Sequence, residues 1–234
     1  MGEAFPNRSE GRWLLFHGTF AVVCLAVLAW IPKETLGFSI LGLVLFYNMA
    51  LVATAVRFGE QEWILLWRFL VPLSALQVVP DWFLSAVLGV LVFPELGVPR
   101  IGTVNIFMAF MWTIALLPVV YCGLRLTARC GDTLGRPQIL GAVGLASGLI
   151  FVGSEATLWR LSIWHAQDVL MVGHVAIYVV IPEIVLGIVT FVAYERVGRK
   201  GWAARLGAAA GIATLYLGML CASFLVVEHV LGGR

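Results

Sequence analysis

The stretch WILLWRFLVPLSALQVVPDWFLSAVLGVLVF, residues Trp63–Phe93, decides how many times this chain crosses a membrane. One crossing helix needs roughly 20 apolar residues. This run is longer, and Pro72 and Pro80 lie inside it. It reads either as two spans or as one bent span over Phe69–Phe93 with an interfacial lead-in at Trp63–Arg68. Working outward, six further stretches qualify as spans: Trp13–Ile31, Phe38–Val56, Thr103–Leu124, Ile139–Leu158, Val169–Tyr194 and Leu206–Val227.

Loop charge chooses between the two counts. With a single crossing at Trp63–Phe93, eleven of the 15 Lys and Arg residues fall on one face and four on the other. Two crossings there would reverse everything downstream and give seven against eight. Basic residues concentrate in cytoplasmic loops, so seven spans is the expectation. The N-terminus is then cytoplasmic, the C-terminus is outside, and residues 1–234 form one all-α, polytopic transmembrane domain. The polar lead Met1–Arg12 shows no small-residue cleavage site after the first apolar run, so that run is read as an anchor.

Composition agrees with this reading. The chain has 234 residues, 61% hydrophobic and 12% charged, where a soluble domain carries about 25% charge. So little charge cannot cover a water-facing surface, which excludes a soluble enzyme, a disordered chain and a disulfide scaffold. A net charge of +2 without a basic run excludes a nucleic-acid partner. The partners that remain are the bilayer, in a multi-pass arrangement expected of a bacterial inner membrane, and a hydrophobic small molecule. The four cysteines, Cys24, Cys122, Cys130 and Cys221, show neither disulfide nor ligand spacing and read as free thiols. The small-xxx-small pairs Gly144/Gly148 and Gly207/Gly211 read as helix-packing faces. Trp13, Trp30, Trp63, Trp67 and Trp202 read as interface anchors.

A charge at the bilayer centre costs about 2.5–3.5 kcal/mol on insertion scales, so one that persists faces the interior. Two residues meet that description. Asp81 lies halfway along the third span and Glu183 halfway along the sixth, each directly after a proline. A proline leaves the carbonyl one turn back without its amide, which a membrane tolerates where neighbours or a cavity satisfy it. Ser74, Gln77, Asp81 and Ser85 repeat at i, i+3, i+7 and i+11 and share one helix face. Asn48 in the second span reaches the same layer. The competing reading is a buried hydrogen-bonded network that only fixes helix packing.

The other polar residues collect toward the outer side, among them Glu95, Arg100, Asn105, Glu155, His165, Asp168, His174, Glu228 and His229. A pocket opening outward and reaching down to Asp81 and Glu183 accounts for this. An ordinary solvated rim accounts equally well for Glu95, Arg100 and Glu228. The segment SEATLWRLSIWHAQDVLMVGHVAIYVVIPE (Ser154–Glu183) packs acids, bases and aromatics around one short loop. Within it Glu155 is spaced to pair with Arg160, and His165 with Asp168. His174 is read as lying inside the sixth span, four residues before Tyr178 and on its face. There its near-neutral pKa suits a proton shuttle, while a satisfied structural histidine is the plainer reading.

Several chemistries fall away. A retinal Schiff base needs a lysine in the last helix, and the only lysines are Lys33 and Lys200, both in loops. Seven-helix zinc hydrolases of the alkaline ceramidase and adiponectin-receptor type need converging histidines, and the last span has no HxxxH pair. His17 and His174 lie toward opposite sides, which does not suit a bis-histidine haem. No metal and no cofactor is called for.

The length, the span count and the acids on separate helices resemble the seven-helix meroterpenoid cyclases, integral-membrane enzymes of terpenoid pathways. The segment FPELGVPRIGTVNIFMAFMW (Phe93–Trp112) is similar to a proline-rich helix entry in membrane carotenoid hydratases and cyclases. The resemblance covers the whole chain at the level of architecture. It implies an enzyme that starts cyclisation or hydration of an isoprenoid by protonating an olefin or epoxide. The cyclases carry an acid in their second span, where this chain has YNMALVA with Asn48, and one in their last, where it has only Glu228 at the end. Their catalytic residues therefore do not transfer position by position.

The residues themselves point the same way. An acid in an apolar layer keeps its proton and can donate it. Aromatics such as Trp82, Phe107, Trp112, Trp159 and Trp164 would hold an isoprenoid and stabilise a cation. The expectation is a membrane enzyme with Asp81, Glu183, His174 and Glu155 as its acid–base set. Asn48, Gln77, Trp82, Asn105, Trp112 and Tyr178 are expected to contact the substrate. A small proton-coupled carrier and a non-catalytic structural or sensory subunit are the alternatives; the lack of an internal repeat counts against the carrier.

Overall fold

The computed structural model describes residues 8–231. Among the described residues, seven helices are long and apolar enough to cross a membrane. In chain order the helices are α1 (Arg8–Trp30), α2 (Leu36–Phe58), α3 (Gln61–Leu76), α4 (Val78–Trp82), α5 (Met108–Cys130), α6 (Arg136–Leu158), α7 (Ile177–Val197) and α8 (Trp202–Phe224). Residues 1–7 of the polar lead, and Arg234 of the charge count, lie outside the described residues.

The Trp63–Phe93 stretch makes one crossing, as loop charge demands. It runs over Gln61–Val87 as α3, α4 and a π-helical turn at Phe83–Val87, end to end. Pro72 and Pro80 each remove an amide from the ladder. The chain recovers by local bonding, with Gln77 N–H donating to the Leu73 carbonyl at 3.0 Å and Asp81 N–H to Gln77 at 3.2 Å. The ladder then widens, and Leu88 N–H reaches back five residues to Phe83 at 3.0 Å. Such π turns inside helices recur at functional sites. Two boundaries differ from expectation. The lead-in Trp63–Arg68 is part of the crossing, and residues 88–93 leave the helix.

Those residues belong to a set of short strands at one end of the bundle. Strand β1 (Leu91–Val92) pairs antiparallel with β4 (His165–Ala166). Strands β2 (Arg100–Ile101) and β3 (Val104–Asn105) form one hairpin, and β5 (Met171–Val172) and β6 (Val175–Ala176) another. The fourth and sixth crossings accordingly begin at Met108 and Ile177, later than the apolar runs from Thr103 and Val169. A short apolar run reads the same as strand or helix, and Gly102 and Gly173, both at positive φ, turn these runs back on themselves. This is the hairpin end; the opposite, arginine-rich end carries the α2–α3, α5–α6 and α7–α8 turns.

Helix α3 packs against α5 and α8, and α7 lies between α6 and α8. Gly144 and Gly148 sit against Ile184 and Ile188 of α7, as their spacing predicts. Gly207 and Gly211 face open space, so that second pair packs against no helix among the described residues. Of the five tryptophans read as interface anchors, Trp30 and Trp202 are exposed, but Trp13 and Trp63 are core residues. Trp13 stacks on Tyr121 with ring centroids 3.7 Å apart and meets Trp63 edge-on at 5.0 Å. Hydropathy marks span ends well but does not show which tryptophans face a neighbouring helix.

Candidate functional site

Asp81 and Glu183 stand on different helices and line one cavity. The broken third crossing presents Asp81 from α4, and Pro182 interrupts α7 immediately before Glu183. The two residues keep only 5% of their surface exposed. Ser147 of α6 donates to the backbone carbonyl of Glu183 at 2.7 Å. Gly187, one turn on, allows that approach, because a Cβ there would come within 2.5 Å of Ser147 Cβ and 3.1 Å of Val119. The position of Glu183 is thus set from two neighbouring helices.

A third acid joins them. Glu155, near the end of α6, lines the same cavity, where its indole donor is Trp164 Nε1–H, 2.9 Å from Oε1. Asp81 is held the same way, by Trp112 Nε1–H at 3.1 Å from Oδ2. An indole only donates and does not titrate, so these contacts orient the two carboxyls without transferring a proton to them. Glu183 Oε2 is buried and has no hydrogen-bond partner. Phe93, Trp112, Trp164, Tyr178 and Tyr216 supply aromatic walls, and Leu84, Leu91, Met108, Ala166 and Val179 the rest. Among the described residues, no Lys, Arg or His lines it.

This acid chamber has a volume of about 50 Å³. One water needs roughly 10–15 Å³ on the same measure, so the chamber has room for a few. An antechamber of about 240 Å³ adjoins it toward the hairpin end, lined by Glu155, Trp159, Ser162, Trp164, His165, Ala166, Met171 and His174. Glu155, Trp164 and Ala166 face both spaces. The partition is anchored by β1–β4 pairing and by Gln167, whose side chain donates to the Gly89 carbonyl at 2.8 Å.

The structure sorts the expected site residues. Asp81, Glu183, Glu155, Trp112 and Tyr178 converge on the acid chamber. His174 does not. It lies in the β5–β6 turn, outside α7, exposed and stacked on Trp159 at 3.7 Å, so it is not one turn from Tyr178 on a helix face. Asn48 is fully occupied elsewhere. Its amide donates to the carbonyls of Val44 at 2.9 Å and Phe110 at 3.5 Å, and its oxygen accepts from Trp67 and Thr113, each at 3.0 Å. That pattern ties α2, α3 and α5 together and is packing. Gln77 is buried but outside the chamber lining. Trp82 is 41% exposed and lies over Gly102 of the β2–β3 turn. Asn105 donates to the Pro94 carbonyl at 3.1 Å and braces the loop.

Two further readings change. Arg160 lies over the Trp159 ring at 5.6 Å, while Glu155 turns inward to Trp164. Glu228 is no solvated rim residue, being 2% exposed, with both carboxylate oxygens accepting from the Leu170 amide at 2.8 and 3.0 Å. The polar lining residue that the sequence reading did not name is Tyr216. It is buried in α8 and meets Trp112 edge-on at 5.8 Å. The available signal was a phenol midway along a helix made mostly of Ala, Gly and Leu.

The family of the domain of unknown function DUF6989 matches residues 78–227, more than half of the chain. The chain belongs to this family. The DUF6989 match begins at the break in the third crossing and takes in Asp81, Trp112, Glu155, Trp164, Tyr178, Glu183 and Tyr216, while α1, α2 and α3 precede it. No curated protein and no solved structure matches the chain.

Proposed function

We propose that this DUF6989 protein is a membrane-embedded enzyme using Asp81 and Glu183 for acid–base chemistry on a hydrophobic, isoprenoid substrate, by cyclisation or hydration. The observation that carries the proposal is that these two buried acids, on separately broken helices, line a single cavity with aromatic walls. One carboxyl delivers a proton to a double bond or epoxide, the other takes one back, and the ring faces of Trp112, Tyr178 and Tyr216 stabilise positive charge between the two steps. Ligand pockets span about 300–1,000 Å³. An isoprenoid therefore needs the antechamber as well, with its reacting end among the acids. In this reading the arginine-rich end is cytoplasmic and the hairpin end is outside.

The test is turnover of polyprenyl olefins and epoxides by protein in lipid nanodiscs, followed by mass spectrometry. Asp81→Asn and Glu183→Gln should each lose at least about 100-fold in rate, the usual scale for one general acid or base, while still accumulating and melting normally. Unchanged turnover in both variants would overturn the proposal. A proton-coupled carrier is the second reading, favoured by an acid chamber sized for water. It predicts proton flux into liposomes with the cargo chemically unaltered. Orientation has its own test in Cys130, at the arginine-rich end of α5. A membrane-impermeant thiol reagent that labels it from outside intact cells would reverse the topology.

A further inference from the structure

The charge balance of the acid chamber is one-sided. Among the described residues, three carboxyls line it and no cationic side chain does. Two of the acids have a neutral indole as donor, and the Glu183 oxygen Oε2, on a residue 95% buried by its 5% exposure, has none. A buried acceptor without a partner costs about 1–3 kcal/mol, more if charged, and a donor brought in from outside would remove that cost.

The remaining walls narrow the donor's identity. Phe93, Trp112, Trp164, Tyr178 and Tyr216 present rings, whose faces attract cations. A bare metal ion is poorly matched: among the described residues, no three His, Cys, Asp or Glu side chains are grouped to hold one. Trp159, which meets the Arg160 guanidinium at 5.6 Å and the His174 ring at 3.7 Å, continues the aromatic wall into the antechamber, where an apolar chain can lie.

We propose that the acid chamber is a recognition site for a protonated amine borne on an otherwise apolar molecule. Its N–H meets the Glu183 carboxyl, its charge is shared with Asp81 and Glu155, and its carbon chain runs past Trp164 into the antechamber. The inference extends the acid–base reading but does not depend on turnover. Such an amine occupies the substrate's place whatever reaction the acids serve.

The experiment uses the full chain in phosphatidylcholine nanodiscs, titrated with hexylammonium and with 1-hexanol, and reads tryptophan fluorescence. The two probes have the same length and both donate a hydrogen bond, so they differ mainly in charge. Hexylammonium should bind at least tenfold more tightly, and Asp81→Asn and Glu183→Gln should each cut that preference below threefold. Hexanol binding as tightly as hexylammonium to the unaltered protein would overturn the proposal, whether or not the variants fold. A preference that survives in the folded Asp81→Asn/Glu183→Gln double variant would do so too. Binding is read here without substrate, so a loss of turnover with no charge preference sinks this inference alone. A charge preference with undiminished turnover sinks the enzyme reading alone.

Discussion

The acids at the two ends of this molecule are treated in opposite ways. At the arginine-rich end four acids each meet a base. Glu60 accepts from Arg12 at 3.0 Å, Glu62 from Arg199 at 2.7 Å, Glu10 pairs with Arg129, and Glu195 with Arg136. In the acid chamber, Asp81, Glu155 and Glu183 meet indoles or nothing. Charge that is cancelled locally can staple helices together, and charge left uncancelled in an apolar cavity is available to a proton or a ligand. The same residue types thus hold the fold at one end and make chemistry possible toward the other.

That contrast can be broken most sharply by exchanging acids for amides at both places. Asp81→Asn or Glu183→Gln should cost at least about 100-fold in turnover with little change in melting temperature. Glu60→Gln should leave turnover unchanged. If the chamber variants fail to accumulate while activity per folded molecule stays normal, the chamber acids are packing groups like those at the other end.

The next largest effect is expected at the seat of Glu183. Gly187→Ala places a methyl 2.5 Å from Ser147 Cβ, and overpacking of this kind costs about 1–3 kcal/mol. Denaturation in mild detergent measures the loss, and because Ser147 holds the Glu183 backbone, turnover should fall with it. Retained stability and rate would show that α6 and α7 can separate without disturbing the acid.

Asn48→Ala sharpens the comparison from the other side. It should cost about 1–3 kcal/mol, because it removes every bond that Asn48 makes to α2, α3 and α5 and strands the part-buried Trp67 indole, while the variant that does fold keeps its affinity for hexylammonium. Weaker amine binding there would return Asn48 to the site. The smallest change is expected for Arg12→Gln, where a part-exposed ion pair contributes up to about 1 kcal/mol. Its melting temperature should depend less on salt than that of the unaltered protein.

Much of the candidate site was legible because a carboxyl inside an apolar helix is expensive enough to stand out. Asp81 and Glu183 were visible from position alone, and Glu155 from the dense polar segment that follows it. His174 and Asn48 misled for a common reason: one dimension shows how deep a polar residue lies along a span but not what already occupies its hydrogen bonds. Tyr216 escaped because a single phenol costs little in a membrane and leaves no pattern.

The number of crossings, and which acids lie inside them, follow from the amino-acid chain alone, through lengths of apolar run and the sidedness of arginine; the observed bounds of the helices put Asp81 and Glu183 nearer the hairpin end than the midpoint. The hairpins at 100–105 and 171–176, and the sharing of one chamber by α4, α5, α6, α7 and α8, were set only in three dimensions. Glycine turns and contacts between segments far apart in the chain set them, and hydropathy, which sums along the chain, carries no record of either.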